Sequence, residues 1–230
     1  MPSTRPHRQL DKSVLAWLRK ESSQQLLHEA QRQAIPELTR VFGHSGLYLR
    51  SVDAAPAELS GNMLASLISL HRNERGFAGD FHCLDDAVPL ASASLALVYA
   101  AFVLETSIAP RELLAEIARV LKPEGQLLLL SLNPWAPARL RWGWRRLRSH
   151  TPTALADGVR EAGLEIVRER YLGPIWSAGT SFEVSRLPIE DLLARTRVAH
   201  LLVARRRDPG VTPLRKSVGA FALRPGVRTG

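Results

Sequence analysis

The amino-acid sequence predicts an α/β protein built on a doubly wound, mostly parallel β-sheet. Apolar runs of strand length alternate with amphipathic helical segments along most of the chain. Residues 95–102, "LALVYAAF", are apolar on both faces, which is typical of a central parallel strand covered by helices on either side. A chain of 230 residues with 45% apolar residues is long enough for one domain with a sizeable core.

The first predicted element is an N-terminal helical extension over residues 1–40. One or two amphipathic helices are expected, ending near Pro36, because proline lacks a backbone N–H donor and clashes with the preceding turn. The apolar residues that recur there at helical spacing are Leu10, Val14, Trp17, Leu18, Leu27, Ala30, Ala34 and Ile35.

An α/β domain is predicted over residues 41–207. "GLYLRSV" at 46–52 predicts its first strand, whereas "NMLASLISLH" at 62–71 is compatible with a strand or a helix. "HRNERG" at 71–76 predicts a turn, and the buried strand at 95–102 follows.

The second half of this domain begins with a helix in "APRELLAEIARVL". Pro110 suits the first turn of that helix, and "KPEG" is expected to end it with Gly125 at positive φ. The following segments predict a strand at 126–132, a helix at 153–162 and strands at 164–171 and 198–207. Residues 208–230 are predicted to form a basic, flexible tail.

The charge is distributed unevenly along the chain. Residues 1–138 hold 13 Lys and Arg against 14 Asp and Glu, a net of −1, whereas residues 139–230 hold 18 against 8, a net of +10. This asymmetry indicates an anionic partner such as nucleic acid, anionic lipid or a phosphorylated substrate. The single Cys83, the absence of a membrane-spanning apolar run and the polar N-terminus lead us to expect a cytoplasmic protein.

Two stretches carry a resemblance to a known family. "FVLE" at 102–105 with "APRELLAEIARVLKPEGQLLLLSLNP" at 109–134, and "DDAVPLASASLALV" at 85–98, resemble the class I S-adenosylmethionine-dependent methyltransferases, in particular the type-11 group. The resemblance extends over residues 47–207. It implies a seven-stranded sheet with an antiparallel hairpin at its end, and S-adenosylmethionine lying across the carboxyl ends of the first strands.

The resemblance also implies cofactor-binding positions, where the chain departs from the family pattern. "LRSVDAAPA" stands where the family has a glycine-rich turn, so a Cβ atom or a proline replaces bare backbone. The expected cofactor-binding residues are Ser51, Asp53, Glu74, Asp85, Asp86 and Tyr99, of which Glu74 takes the place of the ribose-binding acid. These departures leave open a member of the family that has lost cofactor binding.

The substrate side is expected at the ends of the next two strands, at Phe102, Glu105, Asn133 and Trp135. "NPW" at 133–135 resembles the family motif in which an Asn or Asp, two prolines and an aromatic residue hold a target amine. The second proline is absent here. The alternative is an Asn that closes a strand and a Pro that opens a loop. No catalytic residue is assigned, and no Ser-His-Asp set, phosphate-binding loop or histidine pair at metal-ligand spacing is present.

A segment rich in Arg and Trp follows this motif. Its basic and aromatic residues suit single-stranded nucleic acid, an anionic membrane surface or a lid over the substrate, and equally a helix that packs its tryptophans on the sheet. The residues are Arg139, Arg141, Trp142, Trp144, Arg145, Arg146 and Arg148.

The sequence therefore leaves two functions open. The first is methyl transfer by alignment of an unknown acceptor with the sulfonium methyl group, a reaction that needs little covalent help from the protein. The second is a non-catalytic protein with the methyltransferase fold, binding a partner, RNA or an anionic membrane through its basic C-terminal half. No metal is expected in either case.

Overall fold

The computed structural model describes residues 12–139, 149–175 and 194–207. The helices in these ranges are α1 Lys12–Leu18, α2 Glu21–Leu38, α3 Pro110–Val120 and α4 Pro152–Glu161, with a 3₁₀ turn at Leu104–Thr106. The strands are β1 Phe42–Arg50, β2 Met63–Arg72, β3 Phe77–Gly79, β4 Leu95–Ala101, β5 Leu121–Leu132, β6 Leu164–Leu172 and β7 Ala199–Arg206. The predicted tail at 208–230 lies outside the described residues.

The strands form one sheet in the order β3-β2-β1-β4-β5-β7-β6. β1 pairs in parallel with β2 and β4, β4 pairs in parallel with β5, and β7 runs antiparallel to both β5 and β6. The predicted α/β class, the seven strands and the closing antiparallel hairpin are confirmed. A short β3 antiparallel to β2 was not predicted.

Helices cover both faces of the sheet. On one face, α1 and α2 bury apolar side chains such as Leu26 and Ala30 against Tyr48 of β1, Leu130 of β5 and their neighbours. On the other face, α3 and α4 pack against the opposite sides of the same strands. The described part of the N-terminal extension therefore shares its core with the sheet.

A buried carboxylate fastens α2 to the far edge of the sheet. Glu37, 4% exposed, accepts hydrogen bonds from Arg168 at 2.9 and 2.8 Å and from Arg170 at 3.2 Å, both on β6. Arg40 adds a third ion pair at 3.2 Å. Burial alone would raise the pKa of Glu37, but the arginines outweigh burial and lower it.

The connection between β1 and β2 contains no regular secondary structure. Residues 51–62 contain turns and bends but neither helix nor strand, although parallel neighbours are usually joined by a helix. β2 consequently begins in a poorly covered position, with Met63 51% exposed. The open choice for residues 62–71 is settled as a strand.

The predicted helix end near Pro36 is confirmed, since α2 contains Pro36 and ends two residues later at Leu38. After α3, the left-handed residue is Glu124, with φ +62°, not Gly125. Gly125 is needed for space instead, since a Cβ there would lie 2.8 Å from the Lys122 carbonyl oxygen.

Within the described ranges, no helix combines the length and the apolar character that crossing a lipid bilayer requires.

Candidate functional site

The candidate site lies at the edge of the sheet where the parallel strands end. β1 ends at Arg50, β2 at Arg72, β4 at Ala101 and β5 at Leu132. The chain reverses its direction through the sheet between β1 and β4, and ligands of open α/β sheets bind in the crevice outside such a reversal. The loops that follow these four strands therefore decide what the edge can hold.

The loop after β1 folds down onto the sheet. Ser51 and Val52 are buried, and Ala55 is 5% exposed within the core under α1 and α2. The Arg50 guanidinium donates to the carbonyl oxygens of Asp53, at 3.4 Å, and of Ala55, at 2.5 Å. The loop thus uses an arginine to satisfy its own carbonyls where a glycine-rich turn would expose N–H groups to a ligand.

Asp53 is exposed but has a partner. Its Oδ1 accepts from Arg19 Nε of the α1–α2 connection at 3.0 Å and from the Ala54 N–H at 3.0 Å. The hydrogen bond from Arg19 lowers the pKa of Asp53. Because both side chains are about half exposed, the ion pair is weak and a ligand could compete for the carboxylate.

An internal ion pair occupies the end of β2. Arg72 and Asp85, both buried, form a two-pronged pair in which Nη2 lies 3.2 Å from Oδ2. Arg72 Nε donates to Thr106 Oγ1 at 3.2 Å, and the guanidinium lies 4.0 Å from the centre of the Phe77 ring. Ser107 Oγ donates to Asp85 Oδ2 at 2.5 Å. A cation therefore stands at the strand end where the family resemblance predicted an acid.

The remaining predicted cofactor residues do not come together with that pair. Glu74 is exposed in the turn between β2 and β3, and Asp86 is exposed beside the buried Asp85. Tyr99 lies in the middle of β4, fully buried and stacked on Tyr48 with ring centroids 5.3 Å apart. Burial raises the pKa of Tyr99, and it raises that of Tyr48 to about 12.

Glu105 is the most unusual group at the end of β4. It is 1% exposed, and its Oε1 accepts from Ser131 Oγ at 2.6 Å and from the Leu132 N–H at 2.5 Å. Its Oε2 is buried without a hydrogen-bond partner among the described residues. Burial raises the pKa of Glu105, although the two donors and the charge of His150 act in the opposite direction.

The backbone beside Glu105 is strained. Phe102, buried directly after β4, has φ +54°, which is rare for a bulky side chain. Its N–H donates to the Leu130 carbonyl at 2.8 Å, and His150 Nε2 lies 3.4 Å from the Leu104 carbonyl. Such strain persists only where the surrounding structure holds it, and it concentrates at functional sites.

Asn133 hydrogen-bonds to the segment that precedes β7. Its Nδ2 donates to the carbonyls of Arg195 and Arg197, each at 2.7 Å, and its Oδ1 accepts from the Trp135 N–H at 3.1 Å. Trp135 is 57% exposed, and Arg139 Nη1 donates to the Pro134 carbonyl at 3.3 Å. These contacts agree with a strand closure and loop opening, and the place of Asn133 and Trp135 on the substrate side stays a prediction.

The rest of the Arg/Trp segment, namely Arg141, Trp142, Trp144, Arg145, Arg146 and Arg148, lies outside the described residues. Its predicted contact with nucleic acid, membrane or substrate stays a prediction. In the ranges that the structure does describe, no group of three or more His, Cys, Asp and Glu side chains is placed to bind a metal ion.

Sequence reasoning missed four groups at this edge. Arg72 was passed over because the expected residue there is an acid, and Ser107 because hydroxyls are common in loops. Ser131 is the one polar residue in "LLLLSL" at 127–132, and a lone hydroxyl in a buried strand indicates a polar partner. His150 could be found only once the fold brings it beside the Leu104 carbonyl.

The residues present fit S-adenosylmethionine only in part. Exposed carboxylates at Asp53, Glu74 and Asp86 can accept hydrogen bonds from its ribose hydroxyls or its amino group. The glycine cradle is missing, because buried Val52 and Ala55 close the first loop. Any cofactor held here must therefore be held by side chains more than by bare backbone.

Comparisons with known proteins agree with this geometry. Residues 40–129 match the sequence model of the methyltransferase-domain family. A malonyl-[acyl-carrier protein] O-methyltransferase of Methylovorus sp. is 31% identical over 94 residues, 40% of this chain and 32% of that protein. The aligned region spans a third or less of the curated relatives that it matches.

Solved structures share the fold at low sequence identity. A SAM-dependent methyltransferase from Aquifex aeolicus superposes with a TM-score of 0.55 at 13% identity, covering 85% of this chain and 98% of that one. A chain from Haloferax volcanii, solved in complex with the Trm112 methyltransferase activator, gives 0.54 at 17% identity, covering 84% and 95%. The sheet order and these superpositions confirm the class I methyltransferase-like fold. The domain match over residues 40–129 supports S-adenosylmethionine as the cofactor.

Proposed function

We propose that this protein transfers a methyl group from S-adenosylmethionine to an acceptor that reaches the sheet between the ends of β4 and β5. The observation that carries the proposal is the match to a methyltransferase domain over residues 40–129, which runs from β1 into β5. The matched region includes β4 and the turn after it, where Glu105 lies. The Oε2 atom of Glu105 has no hydrogen-bond partner among the described residues.

Bound S-adenosylmethionine would supply an electrophilic methyl group, and the chain has to hold the acceptor in line with it. Glu105 suits the acceptor side because one oxygen is fixed by Ser131 and Leu132, while the other is buried without a hydrogen-bond partner among the described residues. A carboxyl group held on one oxygen presents the second in a set direction, which is the requirement for positioning.

An anionic acceptor, such as a carboxylate, suits this site best. Burial favours the neutral form of Glu105, and a neutral carboxyl can donate a hydrogen bond to an acceptor oxygen. A carboxylate acceptor also needs no proton removed before it attacks. The net charge of +9 and the O-methyltransferase activity in the name of the Methylovorus relative agree with this choice.

Cofactor binding is tested first, by calorimetry and by thermal unfolding with S-adenosylmethionine and S-adenosylhomocysteine. A ligand at a hundred times its Kd should stabilise the fold by about 2.7 kcal/mol. Asp53→Asn should weaken binding, and Asp157→Asn is the matched control because Asp157 also forms an exposed pair with an arginine. No stabilisation of the wild type at millimolar ligand would contradict the proposal.

Acceptor chemistry is tested with S-adenosylmethionine labelled in its methyl group. A malonyl thioester offers a free carboxylate, and its amide is the matched compound without one. We expect label to enter the thioester and not the amide, and Glu105→Gln to reduce the rate with little change in the melting temperature. Equal labelling of both compounds would rule out the carboxylate preference while leaving methyl transfer intact.

A non-catalytic role is the second candidate, and the Arg72–Asp85 pair favours it. That pair fills the end of β2 with a satisfied cation, and the loop after β1 is closed. Such a protein would bind a partner, RNA or an anionic membrane through its basic C-terminal half, or a protein partner as the Haloferax chain does. Binding to an anionic oligonucleotide or vesicle should then fall steeply with salt, in a protein that does not respond to S-adenosylmethionine.

A further inference from the structure

β2 has an open edge. It is ten residues long, but its outer neighbour β3 pairs only with Leu70–Arg72. Among the described residues, no strand pairs with 63–69 on that side. An unpaired strand edge presents a row of backbone donors and acceptors, which is a template for adding another strand.

The backbone direction identifies the groups that point outward. The Ser69 N–H donates to Asp80 Oδ2 at 2.9 Å, the Asp80 N–H donates to the Ser69 carbonyl at 3.3 Å, and Asn73 bonds to Gly76 at 2.9 Å. Residues 69, 71 and 73 therefore face β3. Because the direction alternates along a strand, the N–H and C=O groups of Met63, Ala65 and Leu67 face the same way, beyond the end of β3.

The side chains leave this edge unprotected. Ala65 and Ser66 point to opposite faces of the sheet and both are exposed, so the start of β2 is bare on both faces. No Lys, Arg, Asp, Glu or Pro occurs from Gly61 to Leu70, "GNMLASLISL". Native proteins usually guard such an edge with charge, proline or a bulge, and an unguarded apolar edge implies that something covers it.

We propose that a second copy of this chain covers the edge, pairing β2 with β2 in antiparallel fashion about a two-fold axis at Ser66. This register places Leu64 opposite Ile68 and Ala65 opposite Leu67, so apolar residues face apolar residues. Because residues 65 and 67 have outward N–H and C=O groups, the two pairs exchange four hydrogen bonds. Ser66 faces its own copy in a pair without hydrogen bonds.

The dimensions of the gap support a second copy over an unrelated partner. The outward groups of Ser69 are already bonded to Asp80, so the stretch without a partner is residues 63–68. A two-fold axis at Ser66 pairs residues 64–68 of one copy with the same five residues of the other. The chain turns before Met63, where Asn62 Nδ2 donates to the Leu59 carbonyl, so β2 does not extend further toward the position of the other copy's β3. The edge is uncharged in a protein of net charge +9, so two copies approach there without local repulsion.

The first test measures the mass of the full-length protein by sedimentation and by light scattering over a range of concentrations. We expect a dimer that dissociates on dilution, and a monomer for Ala65→Lys and for Ala65→Pro, since Ala65 gives its N–H to no bond with β1. Ala154→Lys, on the exposed face of α4, should stay dimeric. A monomeric wild type, or Ala65 variants that stay dimeric, would overturn the proposal.

The second test fixes the register. Ser66→Cys, in a Cys83→Ser background, should form a disulfide-linked dimer on mild oxidation, because residues facing each other in such a pair have Cα atoms about 4.5 Å apart. Ala154→Cys in the same background should not. A Ser66→Cys protein that is dimeric but does not cross-link would reject the two-fold at Ser66.

Discussion

The two halves of the sheet differ in how completely they are covered. β4 and β5 lie between helices on both faces, and every residue from Leu127 to Leu132 is buried. β2, on the other side of β1, follows a connection without a helix and begins with exposed residues. Both halves contribute to the core, but the start of β2 is exposed and depends on whatever covers its edge.

The same contrast appears in the polar groups at the strand ends. In the β1–β2 half, Arg72 and Asp85 satisfy each other and draw in Thr106 and Ser107. In the β4–β5 half, Glu105 keeps one oxygen without a partner among the described residues. The polar groups at the end of β2 are therefore paired with each other, whereas Glu105 after β4 keeps one oxygen without a hydrogen bond.

The largest expected effect comes from breaking that ion pair. Arg72→Met should lower the free energy of unfolding by about 3–5 kcal/mol, because it leaves the buried Asp85 carboxylate without its cation. Chemical denaturation measures the change. Arg160→Met is the control, since Arg160 pairs with Asp157 on an exposed helix surface and should cost within about 0.5 kcal/mol.

The double variant Arg72→Met with Asp85→Asn sharpens this test. Removing both charges should restore much of the stability, because the penalty of the single variant arises from the stranded carboxylate. Additive losses in the double variant would show that Arg72 acts through its contact with Phe77 instead, and that the two halves are not distinguished by their ion pair.

A second prediction compares apolar side chains across the two halves. Leu130→Ala, in the covered half, should cost about 2–5 kcal/mol, because Leu130 is fully buried and leaves a cavity. Met63→Ala, in the bare half, should cost within about 0.5 kcal/mol in the dissociated protein. Denaturation at low protein concentration checks both. A Met63→Ala cost close to that of Leu130→Ala would mean that the start of β2 is covered.

The sequence predicted the covered half well and the bare half poorly, for physical reasons. The strand at 95–102 and the helix from Pro110 follow from local apolar periodicity, which packing in the core reinforces. β2 was ambiguous because "NMLASLISLH" lacks a single buried face. Arg72 and Asp85 are thirteen residues apart, and nothing local indicates that a turn and β3 bring them together.

The cofactor-binding residues that the family pattern indicates stay predictions, and the structure shows only where they lie. The resemblance directed attention to acids such as Glu74 and to Tyr99, which the fold separates by exposing one and burying the other. Glu105 was predicted on the substrate side, and its oxygen without a partner agrees with that role without testing it. The partners of Glu105 lie 26 and 27 residues away, which only the pairing of β4 with β5 makes neighbours.

A third prediction concerns the fastening of α2 to β6, which supports the covered half. Glu37→Gln should cost about 1 kcal/mol at neutral pH, a modest value because the arginines that it binds are about half exposed. The folded-state pKa of Glu37 lies below its ordinary 4.5, so its contribution is present above that pH and is lost as the pH falls through the folded pKa.

Denaturation of wild type and Glu37→Gln from pH 7 down to pH 3 measures this dependence. The difference between the two proteins should shrink through the acid range. Glu161→Gln is the control, because Glu161 forms only a 3.6 Å exposed pair with Arg111. A difference that stays constant with pH would mean that the charge of Glu37 does not hold α2 in place.

The smallest expected effect on stability belongs to Glu105. Burial raises its folded-state pKa, so the fold favours the protonated carboxyl, and its contribution falls as the pH rises from about 4.5 through the folded pKa. Glutamine resembles the neutral form and can still accept from Ser131 and Leu132. Glu105→Gln should therefore lie within about 0.5 kcal/mol of wild type in mild acid and become the more stable protein as the pH rises.

Denaturation curves at several pH values measure the stabilities of wild type and Glu105→Gln. Glu169→Gln is the control, because it makes the same substitution at a partly exposed glutamate that pairs with His200. A large loss of stability for Glu105→Gln at every pH would give Glu105 a purely structural role, like that of Arg72. The β4–β5 half would then have no polar group kept for a ligand. The proposed difference from the β1–β2 half, where Arg72 and Asp85 pair with each other, would not hold.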